Sequence, residues 1–144
     1  MRRRTARRSI RLALLAGMLA AGGGCLPVID EPGIPVVEVA TRDAGATVDL
    51  DMQQRLVIRL DANWTTGYRW LLIDRTGQIL ETVGDAPDYQ EQANPGGLLG
   101  LGGQEVWTFR PLARGDGLLR FEYRRPWGEG REAIRSAVFN VRVR

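Results

Sequence analysis

From Val36 onward the chain keeps returning to a two-residue alternation of apolar and polar side chains, in short runs punctuated by Gly, Pro and Asp. The last run is the clearest, with Ala137, Phe139, Val141 and Val143 set against Val138, Asn140, Arg142 and Arg144. Arg55–Asp61 places Leu56, Ile58 and Leu60 on one face and Arg55, Arg59 and Asp61 on the other. Gln104–Arg110 sets Trp107 and Phe109 against Gln104, Thr108 and Arg110, and 117–124 sets Leu119, Phe121 and Tyr123 against Arg120, Glu122 and Arg124. Val36–Ala40, Thr47–Asp51, Tyr68–Asp74 and Ile79–Val83 are further short runs of strand character. Side chains alternate sides along a strand, so a period of two marks one buried and one wet face. No stretch after Cys25 keeps a helical period for more than two turns. The pattern predicts an all-β fold over 36–144: an immunoglobulin-like antiparallel β-sandwich of about seven or eight strands. Trp70, Trp107, Phe109, Phe121, Tyr123 and Phe139 are the expected core, and with a single Cys it must hold without an intrachain disulfide.

The start of the chain has a different character. Arg2, Arg3, Arg4, Arg7, Arg8 and Arg11 precede an apolar stretch from Leu12 to Ala21, and Gly22-Gly23-Gly24 then lead to Cys25. A basic segment, a short apolar segment and small residues form a secretory signal pattern, assigned to residues 1–24. The apolar run is shorter than the ~20 residues that span a bilayer. A Cys directly after small residues resembles a bacterial lipoprotein box, although Gly22 stands where that box usually has Leu. The expectation is lipidation at Cys25, a membrane anchor, and residence in the periplasm or cell envelope. The Arg7-Arg8 pair also resembles a twin-arginine export signal. Residues 25–35, with Pro27, Pro32, Pro35 and Gly33, suit an extended tether.

Composition removes most catalytic chemistry. There is no His, and all 20 basic residues are Arg. The commonest general base, the usual zinc ligand and every Ser-His or Cys-His pair are therefore missing, so no metal or other cofactor is expected. Six of the 20 Arg and none of the 17 acids precede Cys25, which leaves 14 Arg against 17 acids, a formal charge of −3. The basic balance belongs to the leader, and nucleic acid is not an expected partner. A monomer is expected.

Three loop motifs remain: Asn63-Trp64-Thr65-Thr66-Gly67-Tyr68, Gly100-Leu101-Gly102-Gly103 and Arg125-Pro126-Trp127. In an antiparallel sandwich, alternate connections fall at the same end. The loops at 62–67, 84–103 and 125–133 then share one end, and the turns at 75–78 and 111–116 share the other. Sandwich domains present binding loops in this way. The 84–103 connection reads as a long Gly-dense loop carrying Leu98, Leu99 and Leu101, where exposed Leu favours a partner contact. Trp and Arg are the side chains that most often dominate binding energy.

In order and in loop position, the three motifs resemble those of the chagasin family of cysteine-peptidase inhibitors, over about residues 38–144. That family carries an Asn-Pro-Thr-Thr-Gly-Tyr/Phe-x-Trp loop, a Gly-x-Gly-Gly loop and an Arg-Pro-Trp loop. Trp64 departs from it, standing where the family usually has Pro, and this leaves the first loop less fixed in φ and its tip bulkier. The resemblance implies a reversible inhibitor, not an enzyme, that wedges three loops into the cleft of a papain-like cysteine peptidase. Thr65 and Thr66 would sit over the catalytic pair, the 94–103 segment along one wall, and Trp127 with Arg125 along the other. The implied footprint is ~1,600 Å² in total. Two alternatives stay open: a non-inhibitory envelope module binding peptide, glycan or protein through the same tip, and an enzyme using two of Asp85, Asp88 and Glu91 as an acid/base pair.

Overall fold

The alternating runs become strands whose apolar faces meet between two layers. The computed structural model describes residues 33–84, 87–127 and 132–144. The segment expected to be a signal, Cys25, most of the expected tether and Asp85 lie outside the described residues. Among the described residues nine strands are formed: β1 (Val36–Ala40), β2 (Thr47–Leu50), β3 (Arg55–Ala62), β4 (Arg69–Thr76), β5 (Leu80–Thr82), β6 (Asp88–Glu91), β7 (Gly103–Pro111), β8 (Gly115–Arg124) and β9 (Arg135–Val143). One sheet runs β1-β3-β7, with β5 and β6 both on the free edge of β7; the other runs β2-β9-β8-β4.

The core lies between the sheets. Leu56, Ile58 and Leu60 of β3 and Phe109 of β7 meet Leu119, Phe121, Tyr123, Phe139 and Val141 of β8 and β9. Each fully buried side chain of this size contributes about 1.5–3 kcal/mol through removal of apolar surface from water. Of the six expected core aromatics, five are buried; Trp107 is half-buried at the margin, edge-on to Phe121 at 5.2 Å.

The structure corrects two expectations. First, the sheets are mixed, because β1 pairs parallel with β3 and β2 parallel with β9. The chain climbs beside β3, crosses between layers through a 3-10 turn at Thr41–Asp43, and returns beside β9. Alternation along a strand reports which face is buried and carries no information on the direction of its neighbour. Second, 84–103 is not one long loop. β5 pairs with the second half of β7 (Thr82↔Phe109) and β6 with the first half (Asp88↔Val106, Glu91↔Gly103), so the two form a single edge strand interrupted near Gly84. The remaining loop is 92–102.

This register fixes where the connections lie. Ala62 pairs with Gly103, and Arg69 pairs with Arg124. The ends of β3, β6 and β8 and the starts of β4 and β7 therefore share one end of the sandwich. Val36, opposite Arg55, and Val143, opposite Gly115, lie at the other end.

Candidate functional site

Asn63 organises the first loop. It follows β3 in extended geometry, and its Oδ1 accepts from Thr65 N at 3.1 Å and from Thr65 Oγ1 at 2.6 Å, capping a 3-10 turn over Trp64–Thr66. Thr66 Oγ1 donates to Asn63 O at 2.6 Å. Gly67 closes the turn at φ +79°, a left-handed conformation that Gly adopts without a Cβ penalty. Asn63 N donates to the Tyr123 hydroxyl at 2.9 Å, which ties the turn to β8.

The three loops meet. Asn63 Nδ2 donates to Gly100 O at 2.9 Å, joining the first loop to the second. Arg125 Nη2 reaches Thr66 O at 3.4 Å, and its guanidinium lies 4.9 Å from the Tyr68 ring, joining the first to the third. Trp127 stands beside Gly67; a methyl group placed on Gly67 would lie 3.6 Å from Trp127 Cζ2. Tyr68 stacks on Tyr123 at 5.5 Å. A hollow of about 250 Å³ separates Thr65 from Leu98, Leu99, Gly100 and Leu101.

The side chains differ in what they offer a partner. Leu99 is fully exposed, Leu98 is 65% exposed and Trp127 60% exposed, whereas Leu101 is half-buried. Exposed apolar groups of this size gathered at one tip mark a contact surface. Thr65 and Thr66 are exposed at the turn itself. Gly102 and Gly103 serve the framework, since a Cβ on Gly103 would fall 2.3 Å from Gln90 O and 2.8 Å from Tyr89 Cζ. Gly103 is the first residue of β7, and only its missing side chain lets β6 lie so close. Pro126 follows Arg125 at the end of β8 and stops the ladder there.

Trp64 does not make the tip bulkier. Its ring stacks on Tyr89 of β6 at 4.4 Å, the Arg69 guanidinium lies over it at 4.2 Å, and its indole N–H donates to Glu105 Oε1 at 2.8 Å. The side chain is folded back against the sandwich. The reason is chemical: Tyr89, Arg69 and Glu105 together satisfy both the ring and the N–H. Arg69 Nη1 also donates to Trp64 O at 3.1 Å and to Tyr68 O at 2.8 Å.

Sequence reasoning passed over Tyr89, Asn94, Arg69 and Glu105. Asn94 brackets the tip of the second loop, Nδ2 donating to Leu98 O at 2.6 Å and Oδ1 accepting from Leu98 N at 2.8 Å. Glu105 had a signal, because the alternation that turns Trp107 and Phe109 inward turns Glu105 inward as well. Asp88 and Glu91, considered for acid/base work, lie exposed on the outer edge strand, and Asp85 is outside the described residues. Among the described residues no three acidic, His or Cys side chains gather as a metal site.

Comparison with known proteins gives a family and a fold. Residues 49–143 match the model of the chagasin family peptidase inhibitor I42. Amoebiasin-2 of Entamoeba histolytica is 28% identical over 102 residues, covering 69% of this chain and 78% of that protein. Among solved structures, the fold is similar to the cysteine protease inhibitor EhICP2 from Entamoeba histolytica, with a TM-score of 0.68 at 23% identity over 78% of this chain and 99% of that one. It is also similar to PbICP-C, solved in complex with falcipain-2, with a TM-score of 0.51 at 17% identity over 76% of this chain and 99% of that one.

Proposed function

The chain belongs to the chagasin family of peptidase inhibitors and is an inhibitor, not an enzyme; on that premise we propose that it blocks papain-like cysteine peptidases by filling the active-site cleft with its three joined loops. The observation that carries the mode is the joining itself: Asn63 links the first loop to Gly100, and Arg125 links it to the third. Thr65 and Thr66 form the leading edge, Leu98 and Leu99 a flank, and Trp127 with Arg125 the opposite flank. Inhibition by occupancy requires no nucleophile. It requires a surface that enters the cleft and is not itself cut. A loop set already held by hydrogen bonds to a rigid sandwich loses little conformational freedom on docking, which favours affinity.

The relatives support the target class by what they are: EhICP2 is a cysteine protease inhibitor, and PbICP-C was solved bound to falcipain-2. Residues 1–24 are proposed to direct export, with Cys25 lipidated and residues 25–35 as the tether to a monomeric domain in the periplasm or cell envelope. Two features favour this arrangement. One is the basic, apolar, Gly-Gly-Gly-Cys order of the leader. The other is that Val36 enters the sandwich at the end away from the three loops.

Titration of the purified protein against papain, with trypsin as control, tests the reading. Reversible inhibition of papain, no effect on trypsin and an uncleaved inhibitor are expected. A folded protein that leaves papain untouched at micromolar concentration would sink it and favour a non-inhibitory binding module. Fatty-acid labelling lost in Cys25→Ser checks the anchor, and equal labelling of both forms removes it.

A further inference from the structure

Glu105 is a fully buried carboxylate on the inner face of β7, directly behind the Trp64–Thr66 turn. A carboxylate removed from water is costly unless its oxygens are filled by donors. Here they are filled from one place. Oε1 accepts the Trp64 indole N–H at 2.8 Å and Trp70 N at 3.1 Å, and Oε2 lies 3.3 Å from the same Trp70 N. One donor is inside the first loop and the other is in the opening residues of β4, just beyond it. Arg69 is the charged group acting on this carboxylate, and it also lies over Trp64. The Trp107 indole favours the ionised carboxylate weakly but forms no hydrogen bond of ordinary geometry with it. Burial holds the Glu105 carboxyl above the ordinary carboxylate range, against the pull of these partners.

A Leu or Met at this position would pack without that cost. What the carboxylate adds is an acceptor under the loop at a fixed height. The loop's own bonds, from Asn63 to Thr65 and Thr66, set the shape of the turn but not its height above the sheet. Asn63 N on the Tyr123 hydroxyl ties the start of the turn to β8, and the Trp64 indole on Glu105, stacked on Tyr89 and lying under Arg69, ties the turn itself to β7.

We propose that Glu105 is a positioning residue for inhibition: through the Trp64 indole N–H and the Trp70 amide it fixes the pose of residues 63–68, so that Thr65 and Thr66 meet the target at a set depth. This rests on the inhibitory function proposed above. Trp64 is then a strut inside the inhibitor and not a contact with the peptidase.

Three single variants, one double variant and two readouts test it. Glu105→Leu removes the acceptor, Trp64→Phe removes the donor while keeping a ring for Tyr89, and Glu105→Gln keeps an uncharged acceptor. Inhibition of papain should weaken about tenfold or more in the first two, the size expected for losing one hydrogen bond to a charged group. Glu105→Gln should recover most of that loss. The Glu105→Leu/Trp64→Phe pair should be no worse than the poorer single variant, because both remove the same link. The second readout needs no peptidase: the Trp64 indole ¹⁵N–¹H resonance of the free protein. In wild type it should move as Glu105 titrates, and in Glu105→Gln it should be indifferent to pH over that range. Should Glu105→Leu not fold, Trp64→Phe with Glu105→Gln carries the same comparison. Folded Trp64→Phe inhibiting as well as wild type, or an indole resonance indifferent to Glu105, overturns the proposal. If wild type leaves papain uninhibited while the indole still follows Glu105, the strut stands and both the inhibitory function and this role in it fall.

Discussion

Trp127 follows Pro126 beyond the end of β8 and keeps 60% of its surface in water, so its ring has more apolar area to lose to a partner than to its own core. Truncating a buried core aromatic costs about 3–5 kcal/mol of stability. Truncating an interface anchor costs ~2 kcal/mol or more of binding, roughly a 30-fold loss. Trp127→Ala is expected to weaken inhibition by that factor with its melting temperature near wild type. A collapsed melting temperature, with inhibition falling only in proportion to the unfolded fraction, would place Trp127 in the core and move the binding edge to 65–66 and 98–101. Glu105 makes the opposite kind of residue-scale statement. Its folded pKa is raised above the unfolded value of 4.5, chiefly by burial. The folded state therefore holds this proton more tightly than the unfolded chain, and the associated stability is present below pH 4.5 and is lost as pH rises through the folded value. Wild type should accordingly lose ground to Glu105→Gln as pH rises above 4.5 in paired denaturant titrations. A wild type whose stability relative to Glu105→Gln is flat with pH, or rises with it, contradicts the burial argument.

At the scale of elements, the question is what makes three separate connections act as one tip. Asn63 carries two jobs on one side chain: Oδ1 caps its own turn and Nδ2 holds Gly100 O of the neighbouring loop. Asn63→Asp separates them. The cap survives, while a carboxylate oxygen now faces the Gly100 carbonyl. Faster amide exchange in 98–102, an unchanged turn at 64–66 and inhibition weakened roughly 3- to 10-fold are expected, the scale of one net hydrogen bond. Unaltered exchange in 98–102 would mean the loops are not joined through this residue. The placement of these loops at one end was legible from strand order, because parity survives small errors in strand ends. The shape within them was not. β6 hides in the sequence because Asp88, Gln90 and Glu91 are exposed on an edge strand and leave no apolar alternation to find. The parallel pairs of β1 and β2 were equally silent, since their residues alternate as they would in either direction. Trp64 was misjudged as tip bulk because what turns it inward, Tyr89, Arg69 and Glu105, comes from three other strands. The sequence placed Thr65, Thr66 and Trp127 in loops, and the structure leaves all three exposed there, since they need no distant partner to be so.

At the scale of the whole molecule, the topology separates attachment from contact. β1 enters beside the start of β3 and β9 leaves beside the start of β8, so the first described strand begins and the last one ends away from the three loops. Sandwich strands of this length run about 25–30 Å, given ~3.3 Å per residue, and that distance stands between either attachment point and the tip. A tether on the N-terminal side would hold the domain with its loops directed outward, and bulk joined after Arg144 would sit clear of a peptidase docked on the other end. Fusing a folded fluorescent protein after Arg144 should therefore leave the inhibition constant within about twofold of wild type, less than the cost of one weak contact. The same protein inserted between Gly96 and Gly97, on the second loop, should abolish inhibition while the sandwich still melts cooperatively, because loop insertions are tolerated by a fold more readily than by the surface the loop presents. Loss of inhibition in the C-terminal fusion, with the insertion still active, would show that the contact surface lies at the end where the strands begin and finish, and would reverse the orientation argued from the strand pairing.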